Sequence, residues 1–327
     1  MNGSMDSSED FRETLAFTIA ETVLIGTVSI FGFGCNSFSF LVLIRHKAFK
    51  NSFGYLTAYE AFSNACVLLI FILWATPWTY LDIPVELHRL NTLLGQLSLL
   101  FVESSFHCCL LITVNRFIAV MYPGFYRSMF SERVTPILLL VISMISILYC
   151  CVYFIDGCNF YYDHQYSVWT FGTEPCSQMM SFYVDMCYNV FLFVIICCVD
   201  VVVFVKLRAA TKKMMATSGI QGQSDNKSRH RRETRLFMQS FMVSTSYSFM
   251  ILCFHLIARN TTGFSLFLCT TFVWGFSHSV GGLILIYFNP EIQRRLVDIR
   301  NFGRFLKDPV TVIAVRPTTT AMSASQK

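Results

Sequence analysis

Seven long apolar runs, separated by shorter polar stretches, dominate the hydrophobic pattern of the chain. Each run is near the roughly 20 residues with which an α-helix crosses the ~30 Å hydrocarbon core of a bilayer. The pattern therefore predicts an all-α membrane protein built as a bundle of seven transmembrane helices. The predicted spans are residues 17–44, 54–80, 90–121, 134–155, 181–205, 236–258 and 263–288.

The segments that flank the spans predict the rest of the organisation. Residues 1–16 are polar and acidic, and we expect an extracellular N-terminus ahead of the bundle at 17–288. Residues 289–305 space apolar side chains at helical intervals with basic residues between them, which predicts a short amphipathic eighth helix on the inner membrane face. Residues 306–327 are rich in Thr and Ser and predict a disordered cytoplasmic tail. The small polar residues of Thr217–Ser228 predict a flexible linker between the fifth and sixth spans.

The basic residues predict the orientation of the bundle, because cytoplasmic loops carry an excess of Lys and Arg. All eight Lys lie in the segments that follow the first, fifth and seventh spans. The opposite side has only Arg12, Arg89 and Arg259. We therefore expect the N-terminus outside and the C-terminus inside.

Composition argues against several other classes of protein. Hydrophobic residues make up 54% of the chain and charged residues only 14%, so a soluble fold would expose too much apolar surface. The net charge of +5 does not indicate nucleic-acid binding, because the basic run Arg229–Arg232 lies beside the predicted membrane face and would meet anionic lipid there. No metal-spaced His/Cys cluster or nucleophile–base pair stands out, and no predicted span holds a Lys for a Schiff base. We expect neither an enzyme nor a bound cofactor or metal.

Arg116 lies at the inner end of the third run, within Asn115-Arg116-Phe117, and Tyr122 follows at the end of the helix. An arginine in a membrane span is unfavourable unless it is paired or has a function. Two interpretations are open. Arg116 either belongs to a cytoplasmic coupling site or only anchors the helix by reaching the membrane interface.

Other polar side chains interrupt the apolar runs. Glu103 and His107 are four residues apart and share one face of the third helix. Because a buried carboxyl group is costly unless it is protonated or paired, Glu103, His107 and Asp185 are either ligand-pocket groups or internal groups that hold helices together. His255 is more often a packing histidine than a ligand contact. An interhelical polar network is expected from Asn36, Glu60, Asn64, Ser277 and His278.

Two cysteines, Cys158 and Cys176, lie outside the predicted spans and on the oxidising side. A disulfide between them would close a loop of about 19 residues and stabilise it by about 3 kcal/mol in the chain-entropy description. The alternative is a pair of free thiols.

Short motifs give the chain a resemblance to G-protein-coupled receptors. Gly34-Cys35-Asn36 resembles the Gly-Asn of a first receptor helix, and Asn64 stands where the second helix usually has Asp. Asn115-Arg116-Phe117 takes the place of the Asp/Glu-Arg-Tyr motif, and Tyr287–Ile292 resembles the junction into the eighth helix.

The chain also departs from that pattern. No Cys stands near the outer end of the third helix, and the fifth, sixth and seventh spans contain no Pro. Asn51–Tyr55, the loop with Cys158, Trp169 and Cys176, and the ending Asn289-Pro290-Glu291 are similar to the nematode serpentine chemoreceptors of class X.

The resemblance implies a chemosensory receptor at the plasma membrane, including that of sensory cilia. It would bind a small extracellular ligand beneath the Cys158–Cys176 loop, among the outer halves of the third, fifth, sixth and seventh helices. It would activate a heterotrimeric G protein through Asn115, Arg116, Phe117 and Tyr122. The candidate pocket residues are Ser98, Glu103, His107, Trp169, Asp185, His255 and Trp274.

A seven-span ligand-gated channel or a transporter is the alternative. Channels of the insect odorant-receptor kind also have seven spans, but their N-terminus lies inside, against the charge distribution here. A transporter would usually show helices broken by Gly or Pro in matching halves, and Gly281-Gly282 has no such counterpart.

Overall fold

A computed structural model describes residues 3–216 and 223–297 of the chain. Within them, seven helices are long and apolar enough to cross a membrane, which confirms the predicted bundle. The spans are Leu15–Arg45, Ser52–Tyr80, Val85–Met121, Val134–Phe154, Pro175–Lys212, His230–Asn260 and Gly263–Phe288.

The helices continue beyond the ends that hydropathy predicted. The first helix covers Gly3–Arg45, so most of the polar segment 1–16 is helical. The helix of the fifth span runs to Ala216, and that of the sixth begins at Gln223, inside the stretch predicted as a flexible linker. In the helices of the fifth and sixth spans, Lys, Arg, Gln and Glu lower the hydropathy but are good helix formers, which explains the difference there. The linker residues 217–222 lie outside the described residues.

The segment between the fourth and fifth spans, predicted only as a loop, forms an antiparallel β-hairpin. Strand β1 is Phe160–Asp163 and strand β2 is Val168–Phe171, with Phe160 opposite Phe171. Aromatic and β-branched residues favour such pairing. Both strands bury aromatic side chains in the bundle, so the hairpin belongs to the core. We call this end of the bundle the outer end, and the end with Arg116 the inner end.

Widened helical turns take the place of the missing prolines. The π-helical stretches among the described residues are Phe71–Ala75, Met180–Cys187, Cys253–Ile257 and Leu268–Phe272. They lie in the outer parts of the second, fifth, sixth and seventh spans. Because a π-bulge can bend a helix as a proline does, the fifth, sixth and seventh spans can deviate from straight helices although none has a Pro after its first residue.

The remaining elements complete the described part of the chain. The α-helices run over Gly3–Arg45, Ser52–Ile70, Thr76–Tyr80, His88–Met121, Pro123–Met129, Val134–Cys151, Pro175–Met179, Tyr188–Ala216, Gln223–Leu252, Gly263–Phe267, Val273–Phe288 and Pro290–Val297. Short 3-10 turns lie at Lys47–Phe49, Val85–Leu87, Val152–Phe154 and Ala258–Asn260.

A short helix follows the seventh span, within the segment for which the sequence predicts an eighth helix. Pro290–Val297 is helical, and Asn289 Oδ1 accepts a hydrogen bond from the Glu291 N–H at its start. Ile292 is fully buried in a cluster that includes Val42 of the first span, which fixes the helix to the bundle. The rest of the predicted helix and the tail, residues 298–327, lie outside the described residues.

Candidate functional site

A small cavity lies in the outer half of the bundle, beneath the hairpin. Its volume is about 20 Å³, which is room for about one water molecule. Its lining residues are Leu99, Val102, Phe106, Phe160, Asp185, Met250, Ile251, Phe254 and Trp274. Two of the predicted pocket residues, Asp185 and Trp274, are therefore on its wall.

A buried acidic cluster adjoins this cavity. Asp185 Oδ2 lies 2.8 Å from His255 Nε2, and both side chains are buried. Asn189 Nδ2 donates to Glu103 Oε1 at 2.9 Å and approaches Asp185 Oδ1 at 3.4 Å. Tyr149 OH also approaches Asp185 Oδ1 at 3.4 Å. The cluster joins the third, fourth, fifth and sixth spans, and His255 has a hydrogen-bond partner within it.

His107 is bound separately from Glu103, although the two share a helix face. Its Nδ1 lies 3.0 Å from Ser146 Oγ of the fourth span, and its Nε2 lies 2.6 Å from Tyr188 OH of the fifth. Both ring nitrogens are therefore used in contacts between helices. This geometry matches the interpretation of His107 as an internal hydrogen-bonding group.

Ser98 and Trp169 are buried, but they differ in their surroundings. Ser98 Oγ donates to the Gly95 carbonyl of its own helix at 2.7 Å. Trp169 stacks on Phe160 with ring centroids 6.0 Å apart and contacts Trp274 at the same distance. The hairpin thus closes the cavity from the outer side with an aromatic layer.

Polar contacts hold the hairpin at this depth. Asn91 of the third span accepts from the Tyr162 N–H at 3.1 Å and donates to the Tyr162 carbonyl at 2.8 Å. Thr271 Oγ1 of the seventh span donates to the Ser167 carbonyl at 2.8 Å. Burial raises the pKa of the Tyr162 phenol, which stays neutral and lies 2.6 Å from Thr79 Oγ1. The third span is therefore attached to the hairpin by hydrogen bonds.

The predicted disulfide is present between Cys158 and Cys176. Cys158 precedes strand β1, and Cys176 lies at the start of the fifth span. The bond therefore ties the base of the hairpin to the fifth span. No disulfide joins the hairpin to the third span, because that span has no Cys near its outer end.

A polar network occupies the middle of the bundle, centred on Asn64. Asn64 Oδ1 accepts from Ser105 Oγ at 2.9 Å and from Tyr247 OH at 2.9 Å, and it lies 2.7 Å from His278 Nδ1. Asn36 Nδ2 donates to the His278 carbonyl at 3.0 Å. One side chain thereby connects the second, third, sixth and seventh spans, and Asn36 adds the first.

Two residues expected in this network lie beside it. Ser277 Oγ donates to the Ser246 carbonyl at 3.3 Å, because its position next to His278 turns it about 100° around the helix, toward the sixth span. Glu60 is buried, and its Oε1 has no hydrogen-bond partner among the described residues.

At the inner end, Arg116 joins the third and sixth spans. Its Nη1 lies 3.0 Å from Glu233 Oε2, and its Nε and Nη2 donate to Asn115 Oδ1 at 3.2 and 2.6 Å. The guanidinium also lies over the Phe53 ring, with Cζ 4.2 Å from the ring centroid. Arg116 is 3% exposed, so it does not extend to the membrane interface. Tyr122 is 52% exposed at the end of the helix.

Basic clefts lie beside this contact. One of about 580 Å³ is lined by Thr211, His230, Arg231, Thr234, Arg235, Tyr287, Phe288 and Gln293. A neighbouring cleft of about 270 Å³ includes Arg232, Arg235 and Arg294 among its lining residues. The inner end therefore presents a cationic surface between the fifth, sixth and seventh spans and the C-terminal helix.

Sequence reasoning missed several buried polar residues, some within these clusters and one, Asp200, outside them. Asn189 follows Asp185 by one helical turn, so the shared face could have indicated it. Glu233 is an acidic residue within the basic stretch 229–235. Asp200 interrupts the apolar fifth run as Asp185 does, and Ser244 Oγ of the sixth span donates to its Oδ2 at 3.1 Å. Among the described residues, no group of three or more His, Cys, Asp or Glu is arranged to hold a metal ion.

Comparison with known proteins places this architecture in a family. A sequence model of the serpentine type 7TM GPCR chemoreceptor Srx matches residues 27–289. Serpentine receptor class X 45 of Caenorhabditis elegans is 24% identical over 285 residues, covering 83% of this chain and 79% of that protein. The crystal structure of squid rhodopsin has the same fold, with a TM-score of 0.68 and 14% identity over 89% of this chain and 87% of that chain. The chain belongs to the Srx family of serpentine G-protein-coupled chemoreceptors.

Proposed function

We propose that this chemoreceptor binds a small extracellular ligand in the outer half of the bundle and activates a heterotrimeric G protein at the inner end. The contact between Arg116 and Glu233 is the observation that carries the proposal, because it holds the third and sixth spans together beside the basic clefts. A ligand that favours an arrangement without this contact shifts the population toward an open inner end.

The outer half supplies the ligand-binding groups in this proposal. Asp185 and Trp274 line the cavity, and Trp169 closes it from the hairpin side. Glu103 and His255 are one contact away, through Asn189 and Asp185. Ser98 and His107 serve as supporting groups, because their described hydrogen bonds go to their own helix and to neighbouring helices.

The inner end supplies the coupling surface. Asn115 holds the Arg116 guanidinium, Phe117 contacts Tyr122, and Tyr122 is exposed. An acidic or carboxylate-bearing segment of the G protein would be attracted to the adjoining Arg231 and Arg235.

The orientation follows from the charges. The basic side chains cluster at the inner end, so the N-terminus lies outside and the C-terminal helix lies on the inner face of the membrane. The receptor then belongs in the plasma membrane, with sensory cilia as the location that fits a chemosensory role.

A second-messenger assay tests the coupling. The receptor is expressed with promiscuous G-protein subunits and screened against volatile and water-soluble metabolites, beside Arg116→Gln and the control Arg89→Gln at the exposed outer end. We expect a ligand response that Arg116→Gln abolishes and Arg89→Gln retains, at equal surface expression. A normal response from Arg116→Gln, or ligand-gated currents that persist without any G protein, would contradict the proposal.

A further inference from the structure

The acidic cluster of the outer half has more hydrogen-bond acceptors than donors. Glu103 Oε2 and Asn189 Oδ1 are buried, and neither has a partner among the described residues. Both residues are fully buried, so ordinary solvent does not reach these oxygens. A buried polar atom without a partner is unfavourable, which makes the cluster a site that lacks a donor.

The cluster also has more acidic than basic side chains. Glu103 and Asp185 are carboxyl groups linked through Asn189, and His255 is the one basic side chain among their described contacts. Arg259, near the outer end of the sixth span, contacts Met186 Sδ at 3.8 Å instead. A cation would therefore be stabilised here, because buried carboxylates need a partner of opposite charge.

The cavity lies where such a cation could reach the cluster. Asp185 is on its wall, and Glu103 shares a helix face with the lining residues Leu99 and Phe106. Phe160, Phe254 and Trp274 supply aromatic rings on the remaining sides. Aromatic faces attract cations, so the walls and the cluster favour the same kind of ligand.

We propose that Glu103, Asp185 and Asn189 bind the ammonium group of a small organic amine, an inference that rests on the proposed ligand site of the receptor. An alkylammonium group has donors and no acceptor, as the cluster requires. Its ammonium head is about the size of the one water molecule for which the cavity has room. The organic part lies against the aromatic walls, where Trp274 Nε1 has no described acceptor and can donate to a hydroxyl of the ligand. Because the cavity has room for only about one water molecule, binding of this part requires the hairpin that carries Phe160 to move outward.

Ligand binding to the purified receptor tests the proposal without any G protein. Thermal unfolding in detergent is followed with 2-phenylethylamine and hexylamine, with the isosteric alcohols 2-phenylethanol and hexan-1-ol, and with sodium chloride against potassium chloride. We expect the amines to raise Tm in a saturable manner and the alcohols to leave it unchanged. Equal shifts from amines and alcohols, no shift from either amine, or a shift from sodium alone would overturn the proposal.

Isosteric variants identify the binding groups. We expect Glu103→Gln and Asp185→Asn each to raise the half-maximal amine concentration by at least roughly tenfold, because each removes a charge-assisted hydrogen bond. The matched control is Asp200→Asn, a buried acid on the same helix as Asp185 that contacts Ser244 instead. An unchanged amine response in both cluster variants, or an equal loss in the control, would contradict the assignment. If neither cluster variant folds, the comparison of amines with alcohols on the unmodified receptor still tests whether the receptor binds amines specifically.

The two proposals fail in distinguishable ways. A receptor that binds amines but gives no second-messenger signal keeps the amine site and loses the coupling proposal. A receptor that signals with neutral ligands and shows no amine-specific shift keeps the coupling and loses the amine site.

Discussion

Asn64 shows how much a single polar side chain contributes inside the bundle. Its Oδ1 serves Ser105, Tyr247 and His278, which come from three other spans. The sequence predicted a network of Asn64 with Asn36, Glu60, Ser277 and His278, and among the described hydrogen bonds Asn36 and His278 take part in it whereas Glu60 and Ser277 do not. Which partners Asn64 can reach depends on the rotation of each helix about its own axis. An apolar run that contains several polar residues does not define this rotation.

Asn64→Leu should lower stability, because it leaves Ser105, Tyr247 and His278 without their common acceptor. With roughly 1–3 kcal/mol for each buried group left unpaired, we expect a total loss of about 2–4 kcal/mol after relaxation. Thermal unfolding of the detergent-purified receptor measures the effect. The control Ser277→Ala removes one 3.3 Å hydrogen bond to a carbonyl and should lower Tm much less. Equal losses in the two variants would show that Asn64 is not the centre of the network.

Glu233→Gln should raise signalling in the absence of ligand. It weakens a charge-assisted contact with Arg116. The Arg116 side chain is 4% exposed and the Glu233 side chain is 24% exposed. If that contact stabilises the closed inner end by about 1.5 kcal/mol, its loss raises the open fraction roughly tenfold. Basal second-messenger production at matched surface expression measures the change. Glu132→Gln, an exposed acid after the third span, is the control and should leave the basal level as it is.

At the scale of elements, the hairpin and the widened turns replace features that the sequence lacks. The third span has no Cys near its outer end for a bridge to the hairpin, and Asn91 binds the hairpin backbone there instead. The fifth span has no Pro after its first residue, Pro175, the sixth and seventh spans have none, and each of the three contains a π-helical stretch. By motif alone, the missing Cys and Pro residues are departures from the receptor pattern. In the structure, the hydrogen bonds of Asn91 and the π-helical stretches take their places.

Gly95→Ala should displace the hairpin. A Cβ at Gly95 would lie 2.3 Å from the Phe160 carbonyl oxygen, and a backbone atom in a paired strand cannot easily give way. We expect a lower Tm and faster proteolysis within the hairpin. Gly34→Ala is the matched control, since a Cβ there meets nothing within 4 Å. It should be neutral or stabilise the helix by about 0.5–1 kcal/mol. A Gly95→Ala receptor as stable and protease-resistant as the control would rule out the close approach.

At the scale of the whole molecule, the two ends of the bundle differ in charge and chemistry. The outer end has a buried acidic cluster and an aromatic hairpin, whereas the inner end has the Arg116 contact and basic clefts. The Asn64 network lies between them and connects four spans. Through Ser105 and Tyr247 the network shares the third and sixth spans with both ends, as the proposed coupling requires.

An epitope tag at the N-terminus should be stained by antibody on intact cells, and a tag at the C-terminus only after permeabilisation. The excess of Lys and Arg at the inner end is the physical reason. Staining of both tags in intact and permeabilised cells measures the topology, and an intracellular control protein reports membrane integrity. The reverse pattern would exclude the proposed orientation, and with it the assignment of the hairpin end to the ligand.

The sequence by itself determined the seven spans and the family resemblance, and it singled out Cys158 and Cys176 as candidates for a disulfide. Span formation depends on the hydrophobicity of consecutive residues, and the two cysteines stand out because they lie outside the spans. Both features can therefore be recognised without knowledge of distant contacts. Only the tertiary structure decided that Arg116 pairs with Glu233, that Asn189 joins Glu103 to Asp185, and that the loop between the fourth and fifth spans enters the bundle as a hairpin. These contacts join residues from different spans or bury a loop inside the bundle, and they depend on how the helices rotate and pack against one another.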